Sequence, residues 1–255
     1  MNYSLQEMMV IEASRHLGDG QIVLAGTGIP LITILLAKKT HAPSLCAMVE
    51  TGSIDPQLLP SPISVSDPRI QYRAVKLGSL REVLGSVLQR GLVDVGMIGG
   101  AQIDQYANVN STVIGEYGNP KARLPGSGGA NDLASHCKRL LIITRHERRR
   151  FPVQVDYITS PGYLDGPDGR RKAGLRVAQP DITVITDLCV MRTDPAVGRL
   201  KVVALMPGVP LERVLAETIF EPPVADPLGE VDPPTEEQLR LLREEVDPQQ
   251  VYFQE

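Results

Sequence analysis

Among the carboxylates of this chain, Glu50 is set apart by its position. It follows the apolar run Leu45-Cys46-Ala47-Met48-Val49 and precedes Thr51-Gly52, where a buried strand opens toward the carboxyl edge of a sheet. Partial desolvation at such a place disfavours the charged form of a carboxyl and raises its nucleophilicity. That suits a general base or a carboxylate that bonds covalently to substrate. A solvated loop glutamate satisfies the same spacing. Three glycine clusters stand at other predicted strand ends: Gly26-Thr27-Gly28, Gly99-Gly100-Ala101-Gln102 and Gly126-Ser127-Gly128-Gly129-Ala130-Asn131. Glycine adopts positive φ and lets backbone amides come close to a ligand, as phosphate cradles and oxyanion holes require. Tight strand-to-helix turns use the same residues. The first cluster is not a complete dinucleotide fingerprint, because Leu31 stands where the third glycine would be, and no Walker lysine follows any cluster.

Other polar groups read two ways. Asn108, Asn110 and Ser111 suit a ligand carboxylate or the satisfaction of turn backbone. His146-Glu147-Arg148-Arg149-Arg150 suits a nucleotide 3′-phosphate or pyrophosphate, or a solvated face or subunit contact. The four histidines (His16, His41, His136, His146) lack metal-ligand spacing, so no metal is expected, and the absence of Gly-x-Ser-x-Gly disfavours a serine hydrolase. Cys46, Cys137 and Cys189 are odd in number and widely spaced, which fits buried thiols rather than disulfides or zinc ligands.

These groups need a scaffold, and its periodicity is legible. Ser4-Leu5-Gln6-Glu7 has capping-box spacing and predicts a helix over residues 4–17, followed by a strand over 21–25 and a helix from Pro30 to about Lys39. Residues 45–49 form a second buried strand. The four prolines between Ile54 and Arg69 mark an irregular excursion. Ser79 and Glu82 repeat the capping box and open a helix to about Arg90, ahead of a strand over 93–98. Continuous rather than alternating apolar runs at 140–144, 183–186 and 200–205 predict strands buried on both faces. An α/β fold with a largely parallel sheet follows, with ligands at the carboxyl ends of the strands. The tail over 222–234 is acidic and proline-rich, and Thr235-Glu236-Glu237-Gln238 starts a last helix to about Val246. No internal repeat or linker divides the 255 residues, so one domain with a C-terminal arm is expected. The net charge of −4 argues against a nucleic-acid partner, and no apolar stretch approaches the ~20 residues of a membrane span. Nothing at the N-terminus reads as a signal peptide, so a cytoplasmic protein is expected.

Several of these blocks, in order along nearly the whole chain, resemble the β subunit of family I CoA-transferases of the glutaconate CoA-transferase type. They are Gly26-Thr27-Gly28-Ile29-Pro30-Leu31, Val49-Glu50-Thr51-Gly52, Gly99-Gly100-Ala101-Gln102-Ile103-Asp104, Asn108-Val109-Asn110-Ser111, Gly126-Ser127-Gly128-Gly129-Ala130-Asn131 and the stretch from Thr159 to Gly166. Arg243-Glu244-Glu245-Val246-Asp247-Pro248 is similar to that subunit's closing helix. The resemblance implies an open three-layer α/β sandwich and an α-subunit partner of similar fold. It implies acyl-CoA and a carboxylic acid as substrates, with coenzyme A itself a substrate and no further cofactor. It places Glu50 as the residue that forms an acyl-glutamyl anhydride and then a glutamyl-CoA thioester, and Gly128, Gly129 and Ala130, with Asn131, as the oxyanion and CoA-binding turn. Gly26, Gly28, Gly99, Gly100 and Gln102 are implied pocket residues. Thr51 stands where related members carry Asn or Ser. Hydrolysis or decarboxylation of an acyl-CoA on the same scaffold is the alternative, although relatives with those activities tend to lack the glutamate.

Overall fold

The computed structural model describes residues 2–26, 28–61, 64 and 66–253. Its first helix, α1 (Leu5–Arg15), is closed by the box expected from sequence. The Glu7 N–H donates to Ser4 Oγ at 3.1 Å and the Ser4 N–H to Glu7 Oε2 at 2.8 Å. Strand β1 (Ile22–Ala25), helix α2 (Ile29–Lys39), with Pro30 in its first turn, and strand β2 (Cys46–Val49) then form a right-handed parallel unit. Two short strands, β3 (Ser53–Ile54) and β4 (Lys76–Leu77), continue the sheet beyond β2 in antiparallel pairing. Between them the chain is irregular apart from one 3₁₀ turn, Pro68–Gln71. Pro62, within the expected excursion, lies outside the described residues.

A π-helix, Arg81–Leu88, leads to β5 (Val95–Ile98). Only half of the expected capping box forms there. The Glu82 N–H reaches Ser79 Oγ at 3.2 Å, but the Glu82 carboxylate turns to Lys76 Nζ instead. The opposite charge outcompetes a backbone donor. Strands β6 (Gln102–Ile103) and β7 (Val109–Asn110) form a small ribbon, and β8 (Val113–Glu116) and β9 (Asn119–Arg123) a hairpin. Helix α3 (Ala130–His136) and strand β10 (Arg139–Ile143) follow, then the one-turn helix α4 (Gly169–Lys172) and strands β11 (Asp181–Ile185), β12 (Cys189–Asp194) and β13 (Arg199–Leu205). Helix α5 (Leu211–Ala216) precedes β14 (Val224–Glu230), and α6 (Glu236–Leu241) runs on with wider turns through Val246.

The main sheet has the order β14-β13-β12-β11-β10-β5-β1-β2-β3-β4. It is parallel through its centre, from β11 to β2, and acquires antiparallel strands on both flanks. The chain steps from β1 to β2 with α2 on one face, then crosses back to β5 with the Arg81–Leu88 helix on the other, because parallel crossovers are right-handed. Helix α1 packs on α2, and α3 on the Arg81–Leu88 helix, so helices cover both faces and three layers result. The strand runs at 140–143 and 182–185 are buried throughout, as continuous apolar patterning anticipates. The run at 200–205 departs from that expectation: it lies in β13, which pairs antiparallel with β12 and is fully buried only at Leu200 and Val202. In the C-terminal arm, residues 224–230 pair in parallel with β13, and Pro227 is tolerated because this is an edge strand. Among the described residues no helix is long and apolar enough to cross a membrane.

Candidate active site

The register sets the site. Ala25 of β1 pairs with Val49 of β2 on one side and Met97 of β5 on the other, all in parallel, so the residues that follow these strands leave one edge of the sheet together. Those residues are Gly26, Glu50 and, after Ile98, Gly99-Gly100. Strands β5 and β2 depart from β1 in opposite directions, which opens a crevice at their carboxyl ends. Glu50 is half-buried there. The turn that carries it is rigid. Gly52 has φ +114°, a Cβ on it would lie 2.3 Å from the Gly78 carbonyl oxygen, and the Gly78 N–H donates to the Gly52 carbonyl at 2.8 Å. Only glycine fits this left-handed position against neighbouring backbone.

The third glycine cluster closes on this carboxylate across 79 residues of sequence. The Gly129 N–H donates to Glu50 Oε2 at 2.7 Å. Gly129 immediately precedes α3, so its N–H belongs to the helix-start donors that have no partner within the helix. A Cβ at Gly129 would lie 2.4 Å from Glu50 Oε2, and one at Gly128, whose φ is +49°, 3.4 Å from Oε1. Both glycines therefore face the carboxylate. Ala130 and Asn131 brace the turn. The Ala130 N–H donates to the Ser127 carbonyl at 2.9 Å, the Asn131 N–H to Ser127 Oγ at 3.1 Å, and Asn131 Nδ2 to the Thr159 carbonyl at 2.8 Å. Of the turn implied by resemblance, Gly128 and Gly129 address Glu50, whereas the amide of Asn131 holds the loop at Thr159.

The remaining sites from sequence divide into edge glycines and structural groups. Nothing lies within 4 Å of a Cβ built at Gly26, and Gly28, at φ +86°, precedes α2 with Tyr252 beside it. Thr27 lies outside the described residues. Gly100 accepts from Thr144 Oγ1 and Arg150 Nη1, each at 3.2 Å. Gln102 is buried, and its amide is spent on Asn110 and Asp156. Asn108, Asn110 and Ser111 serve the backbone rather than a ligand carboxylate. Asn108 Oδ1 accepts from the Gly162 and Leu164 N–H groups, Asn110 Oδ1 from Thr112 and Val113, and Ser111 Oγ donates to the Gly126 carbonyl.

The basic run also needs correction. His146 is buried between Thr186 and Thr218, stacked on Phe151, and burial lowers its pKa to about 4. It is a neutral core residue, and only the arginines after it remain near the surface. Burial pushes the Cys137 and Cys189 thiols up to about 12, as buried thiols require, while Cys46 is half-buried. A structural residue that gave no sequence signal is Arg170, fully buried within the run Gly-Arg-Arg-Lys. Its guanidinium donates to the carbonyls of Val177, Pro161, Gly162, Ala134 and Ser135, tying the Thr159–Gly162 loop to α3.

Comparison with known proteins gives the family and the fold. Residues 6–217 match the family model described as coenzyme A transferase. The chain is 37% identical to the β subunit of glutaconate CoA-transferase from Acidaminococcus fermentans, covering 99% of this chain and 96% of that protein. It is also 37% identical to the β subunit of 3-oxoadipate CoA-transferase from Pseudomonas knackmussii, over 94% of this chain and 92% of that one. The crystal structure of the A. fermentans glutaconate coenzyme A-transferase superimposes with a TM-score of 0.92 at 36% identity, over 100% of this chain and 98% of the other.

Proposed function

The chain belongs to the coenzyme A transferase family, and on that basis we propose that it is the β subunit of an enzyme that moves CoA from an acyl-CoA to a carboxylic acid, with Glu50 as the covalent nucleophile. The observation that carries this reading is the Glu50 carboxylate at the carboxyl end of β2, held by the Gly129 N–H at 2.7 Å. Attack by a Glu50 oxygen on the thioester carbonyl forms a tetrahedral oxyanion. Loss of the CoA thiolate leaves an acyl-glutamyl anhydride. The thiolate then attacks the glutamyl carbonyl, releasing the first carboxylate and leaving a glutamyl-CoA thioester, and the acceptor carboxylate takes CoA by the reverse steps. Once the carboxylate is acylated it no longer holds a full charge. The Gly129 N–H, with its neighbour Gly128, is then placed to stabilise oxyanions formed around the same carbon. The acceptor is a dicarboxylic or related acid, in keeping with the acids named for the two relatives. Neither a metal nor a redox cofactor takes part in this scheme.

Both relatives are single subunits of larger transferases, and this reading includes a homologous α subunit that completes the acid pocket. The test is an intact-mass measurement on the α/β complex after incubation with acyl-CoA and without acceptor. A CoA adduct on Glu50, reducible by borohydride and missing from Glu50→Gln, is expected. Release of free acid at an acceptor-independent rate with no adduct would instead establish hydrolysis, and release of carbon dioxide would establish decarboxylation.

A further inference from the structure

The turn that presents the Gly129 N–H to Glu50 has little stiffness of its own. Three of its four residues from Gly126 to Gly129 are glycine, with Gly126 at φ +95° and Gly128 at φ +49°, and glycine constrains a backbone least of all residues. Helix α3, which follows, has seven residues, too few for its own hydrogen bonds to keep a helix start in place. The 2.7 Å bond to Glu50 therefore depends on anchors outside the turn.

Both ends of the turn converge on one buried residue, Thr159. At the leading end, the Gly126 N–H donates to the Ser111 carbonyl at 2.8 Å and Ser111 Oγ to the Gly126 carbonyl at 2.9 Å, while the Ser111 N–H donates to Thr159 Oγ1 at 2.9 Å. At the trailing end, Asn131 Nδ2 donates to the Thr159 carbonyl at 2.8 Å. The Thr159 hydroxyl also pairs with Thr112 Oγ1 at 2.7 Å and reaches Asn110 Oδ1 at 3.5 Å, which occupies its donor and both acceptor sites. Thr159 is fixed in turn. Its N–H and that of Ser160 donate to the Val109 carbonyl at 2.9 and 3.0 Å, and the Val109 N–H returns a bond to the Ser160 carbonyl at 2.9 Å. Two residues further on, Arg170 links the Pro161 and Gly162 carbonyls to those of Ala134 and Ser135 in the last turn of α3. One loop thus grips α3 at both ends.

We propose that Thr159 is the positioning residue of this site: its hydroxyl and carbonyl clamp the two ends of the glycine turn and so set the distance from the Gly129 N–H to Glu50. A donor that stabilises developing charge is effective only when it is fixed in advance, and here the fixing comes from a residue 30 positions beyond the turn. The catalytic consequence rests on the transferase reading; the clamp itself is a property of the free protein.

Thr159→Val removes the hydroxyl at nearly constant shape and tests the clamp in the α/β complex by two readouts. Hydrogen–deuterium exchange over residues 126–131 should become severalfold faster while exchange in β1, β2 and β5 stays at the wild-type rate. Single-turnover formation of the Glu50 adduct should slow roughly tenfold, less than the ~100-fold of a 1 Å misplacement because the Asn131 anchor remains, with KM for acyl-CoA within about twofold of wild type. Thr159→Ser keeps the hydroxyl and should recover most of both losses. In a Gly129→Ala background, where the contact with Glu50 is already disturbed, the same substitution should slow the adduct by less than about threefold. Ser111→Ala cuts the link to the Gly126 carbonyl without altering Thr159, and asks the same question should Thr159→Val fail to assemble; it too should speed exchange over 126–131. Wild-type exchange in both variants would overturn the clamp, as would faster exchange spread evenly over the chain, or a raised KM at an unchanged adduct rate. Absence of any adduct in the wild-type complex would refute the transferase reading instead, and the exchange result would still decide the clamp.

Discussion

Gly129→Ala isolates the contact on which the catalytic reading depends. Gly129 has φ −80° and ψ −1°, a conformation open to any L residue, so the backbone itself accepts alanine. The new methyl would meet Leu84 Cδ2 at 3.4 Å, an ordinary contact, but Glu50 Oε2 at 2.4 Å. To regain van der Waals separation the carboxylate must withdraw by about 1 Å, and the hydrogen bond from the Gly129 N–H is lost or lengthened. Misplacement of that order costs a reaction roughly 100-fold, or about 2.7 kcal/mol in the barrier. Stability should stay within about 1 kcal/mol of wild type, since no core atom moves. Single-turnover formation of the Glu50 adduct, alongside the urea midpoint, measures both quantities. Glu50→Asp shortens the nucleophile by one methylene and relieves the collision, so Gly129→Ala should cost less in that background than in wild type. A folded Gly129→Ala complex that forms the adduct at the wild-type rate would refute the placement of the turn against the nucleophile.

Three further outcomes follow from the same contacts. Glu50→Gln should abolish transfer and leave the urea midpoint near wild type, because the side chain is only half-buried at a strand end. His146 titrates near 4 when folded and near 6.5 when unfolded, so only the unfolded state gains its proton between those values and stability falls as pH drops through that window. Between pH 7 and pH 4.5 the loss is about 2 kcal/mol, and urea midpoints of His146→Gln should lack that part of the slope. Arg170→Met strands five carbonyls and should destabilise by about 3–5 kcal/mol in urea unfolding, whereas Arg171→Met, at an exposed position, should stay within about 0.5 kcal/mol.

What the amino-acid order determined by itself was local or averaged over a whole strand. The boxes at Ser4 and Thr235 close within four residues, so both were legible and both form. The buried parallel strands were legible because helices on both faces demand apolar side chains at every position. The place of Glu50 at the end of such a strand was legible for the same reason, whereas a nucleophile's role for it came only from the family resemblance. Tertiary structure decided matters that depend on long-range partners. Arg170 and Arg171 are adjacent and chemically identical, yet one is sealed among five carbonyls and the other faces solvent. His146 heads an arginine run and is buried by Thr186, Thr218 and Phe151 from distant elements. The proline-containing tail became a strand because an open edge at β13 offered hydrogen bonds that its own sequence does not request. The pairing of Glu50 with Gly129 has the same origin. Neither residue encodes the other, and they meet because parallel register brings the end of β2 to the sheet edge where α3 begins its first turn.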